Sequence, residues 1–180
     1  DAEDTRVAIR TRKGSQRLST PVGEALNVQN VDTSTGDVNF TAALWVLEPF
    51  TPSSSGALTK LELEIKNVVS GGGHVIVEIY TNDSGAPGDL LAQSSISAGT
   101  ITTSFQYLPA YFIDAPSLVN GTQYWMLIKV QTGGSATYAL NKTATSGGYS
   151  TTPPGTVYTA LGYTWRYKSY LSTAGEILGF

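Results

Sequence analysis

The sequence predicts an all-β fold: an antiparallel β-sandwich, jelly-roll-like, with an extended N-terminal arm. Three observations predict it. Short segments alternate apolar and polar residues with period two. Gly, Pro and Asn clusters punctuate them at regular spacing, as in sandwiches rather than βαβ units. Charged residues make up only 14% of the 180 positions, against about 25% in an average soluble domain. Thr, Ser, Gly and Tyr replace them, which suits strands and tight turns and disfavours long helices. A chain of this length forms one domain with a sizeable core.

The elements follow in order. Residues 1–38 read as an arm or lead-in, because 18–38 are polar and broken by Pro21, Gly23 and Gly36; an ordinary first strand and loop is the alternative. The sandwich is expected over 39–180. FTAALWVLEPF is an apolar, aromatic run ended by Pro49 and Pro52. In LTKLELEIKNVV, Leu61, Leu63 and Ile65 face one way, and Glu62, Glu64 and Lys66 the other. Gly71, Gly72 and Gly73 turn the chain into HVIVEIY, where Val75, Val77 and Ile79 share a face. TNDSGAPGDLLAQSS reads as a turn-dense loop leading into a short strand. QYLPAYFIDAP reads as a strand toward an edge, broken by Pro109 and Pro116. Asn120-Gly121 is a tight-turn signal, and TQYWMLIKVQT after it reads as the best buried strand of the chain. ATYALNKT, a Gly/Ser/Thr/Pro-rich loop and the aromatic stretch VYTALGYTWRYKSYL complete the set.

Charge is unevenly placed. The net charge is −3, but Arg6, Arg10, Arg12, Lys13 and Arg17 supply five of the 11 basic residues within the first 17 positions. The remainder holds six basic against 11 acidic residues, a net of −5. This gives no global basic field for nucleic acid. The arm also lacks interleaved aromatics for base stacking. It suits docking onto an acidic neighbouring subunit. No apolar run is long enough to span a bilayer, so membrane insertion is not expected.

Four segments in order resemble a known family: LEPFTPSSSGALTKLELEI, VEIYTNDSGAPGDLLAQS, LVNGTQYWMLIKV and the Tyr/Trp-rich C-terminal strands. Together residues 40–180 resemble the choice-of-anchor R type domain, a β-sandwich of bacterial surface proteins and of phage tail or other virion proteins. The resemblance implies a jelly-roll-like fold, a presentation or binding role and no catalytic residues.

The chemistry-bearing residues point the same way. Cys is absent and His74 is the single histidine, placed at a turn-to-strand junction where it reads as a surface residue. The acids are scattered, with Glu62, Glu64 and Glu78 on polar strand faces, so no pair suggests glycoside hydrolysis. No enzymatic activity and no cofactor are expected. Asn82, Asp83 and Asp89 form a weak calcium candidate in one loop; Asx-turns with Gly85 and Gly88 explain the same residues. Tyr163, Trp165 and Tyr167 alternate and so share one face. They form either a ligand platform, for a glycan or a protein, or part of the core, where Trp45 and Trp125 are also expected. Four Asn-x-Ser/Thr sequons, at Asn39, Asn82, Asn120 and Asn141, matter only in a eukaryotic secreted chain.

The expected function is therefore a non-enzymatic structural or adhesion protein of a virion, such as a phage tail, fibre or capsid-surface component, docked by its arm to other subunits as a homo-oligomer. A carbohydrate-binding module or bacterial cell-surface adhesin, extracellular and bound to a host-surface glycan, is the alternative.

Overall fold

A computed structural model describes residues 24–153, 155 and 157–172. Two antiparallel sheets pack face to face with the core between them. The described residues contain no α-helix, only one 3-10 turn at Ala98–Thr100. Among the described residues no helix is long and apolar enough to cross a membrane.

The first sheet is organised around the long strand β4 (Gly56–Val69). The strands β1 (Glu24–Asn30), β2 (Ser34–Phe40), β7 (Gln106–Tyr111), β8 (Ser117–Leu118), β10 (Thr137–Thr143), β13 (Thr164–Trp165) and β14 (Tyr167–Ser172) complete it. β14 and β10 share one edge of β4, while β7 and β8 share the other. β1 then pairs with β14, and β2 with β10. The second sheet runs β12 (Thr159–Ala160), β11 (Tyr149–Thr151), β3 (Trp45–Phe50), β9 (Tyr124–Val130), β5 (Val75–Asp83), β6 (Ala86–Ile96). The chain crosses repeatedly from one sheet to the other, as jelly rolls do.

Alternation explains the core. Leu61, Leu63 and Ile65 of β4 and Val75, Val77 and Ile79 of β5 are fully buried, as their spacing predicts. Leu58 breaks the parity yet is also buried. The register shifts there, so that Tyr170 faces Lys60 and Leu171 faces Leu58. Thr59 is the extra residue of this bulge, which turns Leu58 back inward. The Oγ1 of Thr59 donates to the Tyr170 carbonyl (3.2 Å). On β9, Met126, Ile128 and Val130 face the core.

Two expectations about chain organisation need correction. The boundary near residue 38 does not hold, because 24–38 belong to the sandwich. β1 and β2 extend the first sheet, with Val38 and Phe40 buried. TNDSGAPGDLLAQSS is not a loop but the β5–β6 hairpin. Its turn is Ser84-Gly85, both at positive φ (53° and 89°), the signature of a two-residue type I′ connection. By contrast Pro109 lies on β7, which among the described residues pairs only with β4, so its missing N–H interrupts no second ladder.

The outer face of the first sheet is a lattice of charge and rings. Arg166 Nη1 lies 2.8 Å from Glu64 Oε2, and Asn141 Nδ2 donates to the same oxygen (3.0 Å). Ser34 Oγ donates to Asn141 Oδ1 (2.5 Å). Lys66 pairs with Asp37 (2.6 Å), and Lys60 with Glu62 (3.3 Å) and Glu24 (3.4 Å). Glu64→Ala should strand both Arg166 and Asn141. It is expected to cost about 2 kcal/mol, measured by urea denaturation; a loss under roughly 0.5 kcal/mol, the level of an exposed pair, would show the cluster to be ornamental.

All six cations of residues 24–172 also lie over aromatic rings. Lys60 sits over Tyr170, Lys66 over Phe105, Lys129 over Trp45, Lys142 over Tyr163, and both Arg166 and Lys168 over Tyr107. Each contact adds up to about 1 kcal/mol at such sites. The rings are thereby capped as much as the cations are held.

Candidate functional site

The residues singled out by sequence fall in three places. Arg6, Arg10, Arg12, Lys13 and Arg17 lie outside the described residues. Tyr163, Trp165 and Tyr167 do not form a surface platform. Trp165 is 0% and Tyr167 3% exposed within the core, and Tyr163 packs against that core under Lys142. The alternation was real, but the face it defines is the buried one. Asn82, Asp83 and Asp89 do not converge on a cation either. Asn82 Oδ1 accepts from Trp125 Nε1 (2.8 Å), Asp83 Oδ1 accepts from Ser84 Oγ (3.2 Å), and the Asp89 N–H donates to Thr81 Oγ1 (2.8 Å). Among the described residues no three His, Cys, Asp or Glu side chains are placed to hold a metal.

Trp45 and Trp125 are not in the inter-sheet core. Trp125, Leu47 and Leu127 form a second buried cluster on the outer face of the second sheet, with Trp45, Tyr80, Tyr149 and Tyr158 packed against it. The Gly/Ser/Thr/Pro-rich loop closes over it. A Cβ on Gly155 would lie 3.2 Å from the Trp45 ring, so only a bare backbone approaches so closely there. Thr151 Oγ1 pins the loop by donating to the Val157 carbonyl (2.6 Å).

The core itself holds an acid that sequence reading passed over. β3 alternates Val46, Glu48, Phe50 inward, and Glu48 is 6% exposed. Thr164 Oγ1 donates to its Oε2. Burial pushes its pKa from 4.5 up to about 8, against the smaller opposing pull of hydrogen bonds from Thr164 and the Trp165 backbone. Glu48 is thus a neutral carboxylic acid at pH 7. Burial also raises the Tyr167 phenol, with a further push from Glu48.

Beyond the aromatic cluster the same outer face opens into a groove of about 900 Å³. Three neighbouring strands make its floor. Glu78 of β5 faces Gln93 of β6 on one side and Leu127 of β9 on the other; Ile76 likewise lies between Ser95 and Lys129. Lys129 Nζ is 2.8 Å from Glu78 Oε1 and donates to Oε2 (3.0 Å), which also accepts from Tyr80 OH (2.9 Å). Burial and the Glu78 carboxylate hold the Tyr80 phenol above its usual range. His74, Gln131 and Thr132 close one end. Tyr111, the last residue of β7, and Ile113 and Asp114 just after it line the rim, where Ser94 Oγ donates to the Tyr111 carbonyl (2.6 Å). His74 is exposed, as its place at a strand entry predicts, and its Nδ1 accepts from the Ala98 N–H (3.3 Å). The shared parity of His74, Ile76 and Glu78 was legible; the partners from β6, β9 and the 111–114 segment were not.

A scan against protein-family models matches none. A search of curated proteins finds no match. Among solved structures, a chain in the structure of infectious bursal disease virus Gx strain matches at 11% identity and a TM-score of 0.33, over 86% of this chain and 37% of that one. This chain spans little more than a third of that chain's length. What is established is the architecture, an antiparallel β-sandwich with a polar, ring-capped outer face on one sheet and a grooved outer face on the other.

Proposed function

We propose that the chain is a non-enzymatic display module of a virion or cell-surface assembly, joined to neighbouring copies through its basic N-terminal segment. Segregation of charge carries this reading. The six cations of the sandwich are all engaged with rings, and four of them also with carboxylates. Its exposed acids Asp32, Asp83, Asp89 and Asp114 pair with no cation of the described residues. The five cations of residues 1–17 are the complement of those acids. A heterologous contact of segment on body builds rings or filaments, and its charge sets register and rate of encounter. The resemblance of residues 40–180 to the choice-of-anchor R type domain supports a presenting role, on a phage particle or a bacterial surface.

Replacing Arg6, Arg10, Arg12, Lys13 and Arg17 by serine should abolish self-association while leaving the melting temperature unchanged. Sedimentation velocity checks this. Wild-type assembly should also weaken between about 50 mM and 500 mM salt, as the screening length falls below 10 Å. Unaltered assembly of the serine variant would remove the docking role.

A further inference from the structure

We infer that the stretch Asp89–Gln93 of β6 is the seat on which a neighbouring copy's N-terminal segment docks, in extended form, as an added strand. This rests on the docking role proposed above and names its place on the body.

β6 ends the second sheet. Among the described residues it pairs with β5 alone, and no main-chain group of Leu90–Ile96 bonds outside that pairing. One row of its N–H and C=O groups therefore has no strand partner there. Such an edge invites a further strand, and proteins commonly blunt it with lysine. β6 carries no cation, and it shows Leu90 (51% exposed) and Leu91 (37%) side by side. The other strand margins are closed or broken. β1 is tied down through Asn27, which bonds Ser53 and Ser54. β7 holds Pro109, and β8, β12 and β13 are two residues long. The one acid of β2, Asp37, is already held by Lys66.

Charge selects the occupant. The described residues include four exposed acids without a cation, Asp32, Asp83, Asp89 and Asp114, and three of them flank this stretch. Asp83 and Asp89 stand together at one end, since a Cβ on Gly88 would lie 3.1 Å from that of Asp83. Asp114 lies with Gln93 and Ser95 on the groove at the other. The segment TRVAIRTRK, residues 5–13, places Arg6 and Arg10 four residues apart. Asp89 and Gln93 have the same spacing, about 13 Å along a strand. With Arg6 and Arg10 at the two acidic ends, Val7 and Ile9 fall between them, against the leucines. Main-chain bonds then supply affinity and the side chains specificity. Residues 14–23 span up to about 35 Å when extended, enough to cross to an adjoining copy. Two register shifts in the β5–β6 pairing fall on this same stretch. Bulges bend a strand and interrupt its ladder, so this edge accepts a short peptide rather than the whole edge of a second sandwich.

The chain has no Cys, so introduced thiols report the contact directly. Protein carrying Ile9→Cys is mixed with protein carrying either Leu91→Cys or Val31→Cys, the latter beside the fourth acid, Asp32, and oxidised glutathione is added. An interchain disulfide between positions 9 and 91, identified by peptide mass mapping, should exceed the link between 9 and 31 by about tenfold. In an otherwise unaltered chain, Leu91→Lys should weaken self-association by about tenfold in sedimentation velocity, the effect of losing one good contact, with no change in melting temperature. Equal linking to both positions overturns the β6 seat. So does a Leu91→Lys protein that assembles as wild type while the five-serine variant of residues 1–17 does not; the docking role itself then stands. A wild-type chain that stays monomeric overturns both.

Discussion

Glu48→Gln is expected to make the protein more stable at pH 9 by between about 4 and 5 kcal/mol, while leaving it nearly unchanged at pH 4. The sign follows from where the proton sits. The folded chain holds Glu48 protonated up to about pH 8, whereas the unfolded chain releases that proton near 4.5. Stability is therefore fully present below 4.5 and is lost as pH rises through 8. The loss is about 1.4 kcal/mol for each pH unit in that window. Glutamine keeps the shape and an acceptor for Thr164 but has nothing to ionise. Urea denaturation of both proteins at several pH values between 4 and 9 measures the gap. Curves that stay parallel across the window would mean that Glu48 ionises freely in the folded state.

Trp165→Ala is expected to cost between about 3 and 5 kcal/mol, the range for removing a large aromatic from a packed core. The indole is wholly covered, and it lies beside Gly148, whose Cβ would sit only 3.1 Å from the ring. Little in that neighbourhood can collapse to fill the space. Tyr111→Ala, on the open rim, should stay within about 0.5 kcal/mol of wild type. The contrast between the two variants in one denaturation series distinguishes a core ring from a surface ring. A Trp165→Ala protein as stable as wild type would restore the ligand-platform reading of that strand.

How much of this was legible depends on how local the signal is. In β4 and β5 the inward residues repeat every second position, so their faces could be assigned from the sequence; β9 is apolar on both faces, so Trp125 was expected in the core but lies in the outer cluster. The bulge at Thr59 could not be assigned, because it exists only in the pairing with β14. β1 and β2 were read as a lead-in because EALNVQN and STGDVNF are mostly polar; each lies at the sheet margin, and only Val38 and Phe40 of the two are buried. Glu48 was obscured by its apolar neighbours, although its parity with Val46 and Phe50 pointed inward. The alternation of Tyr163, Trp165 and Tyr167 was correctly seen, but period two says which residues share a face and not which face meets water. The groove was least accessible of all, since β5, β6, β9 and the 111–114 segment contribute to it from well-separated stretches.

The pairing of β1 with β14, and of β2 with β10, has a consequence for synthesis on the ribosome. The first described strands must wait for partners that emerge more than a hundred residues later. Until β14 arrives, much of one long edge of β4 stays unpaired beside Leu58, Leu61 and Leu63, a template for intermolecular strand pairing. A sandwich closed by such distant pairings folds slowly, on the order of milliseconds to seconds. Translation paused before Thr164 should therefore yield aggregation-prone nascent chains, while release after Ser172 lets both margins of the first sheet zip shut together.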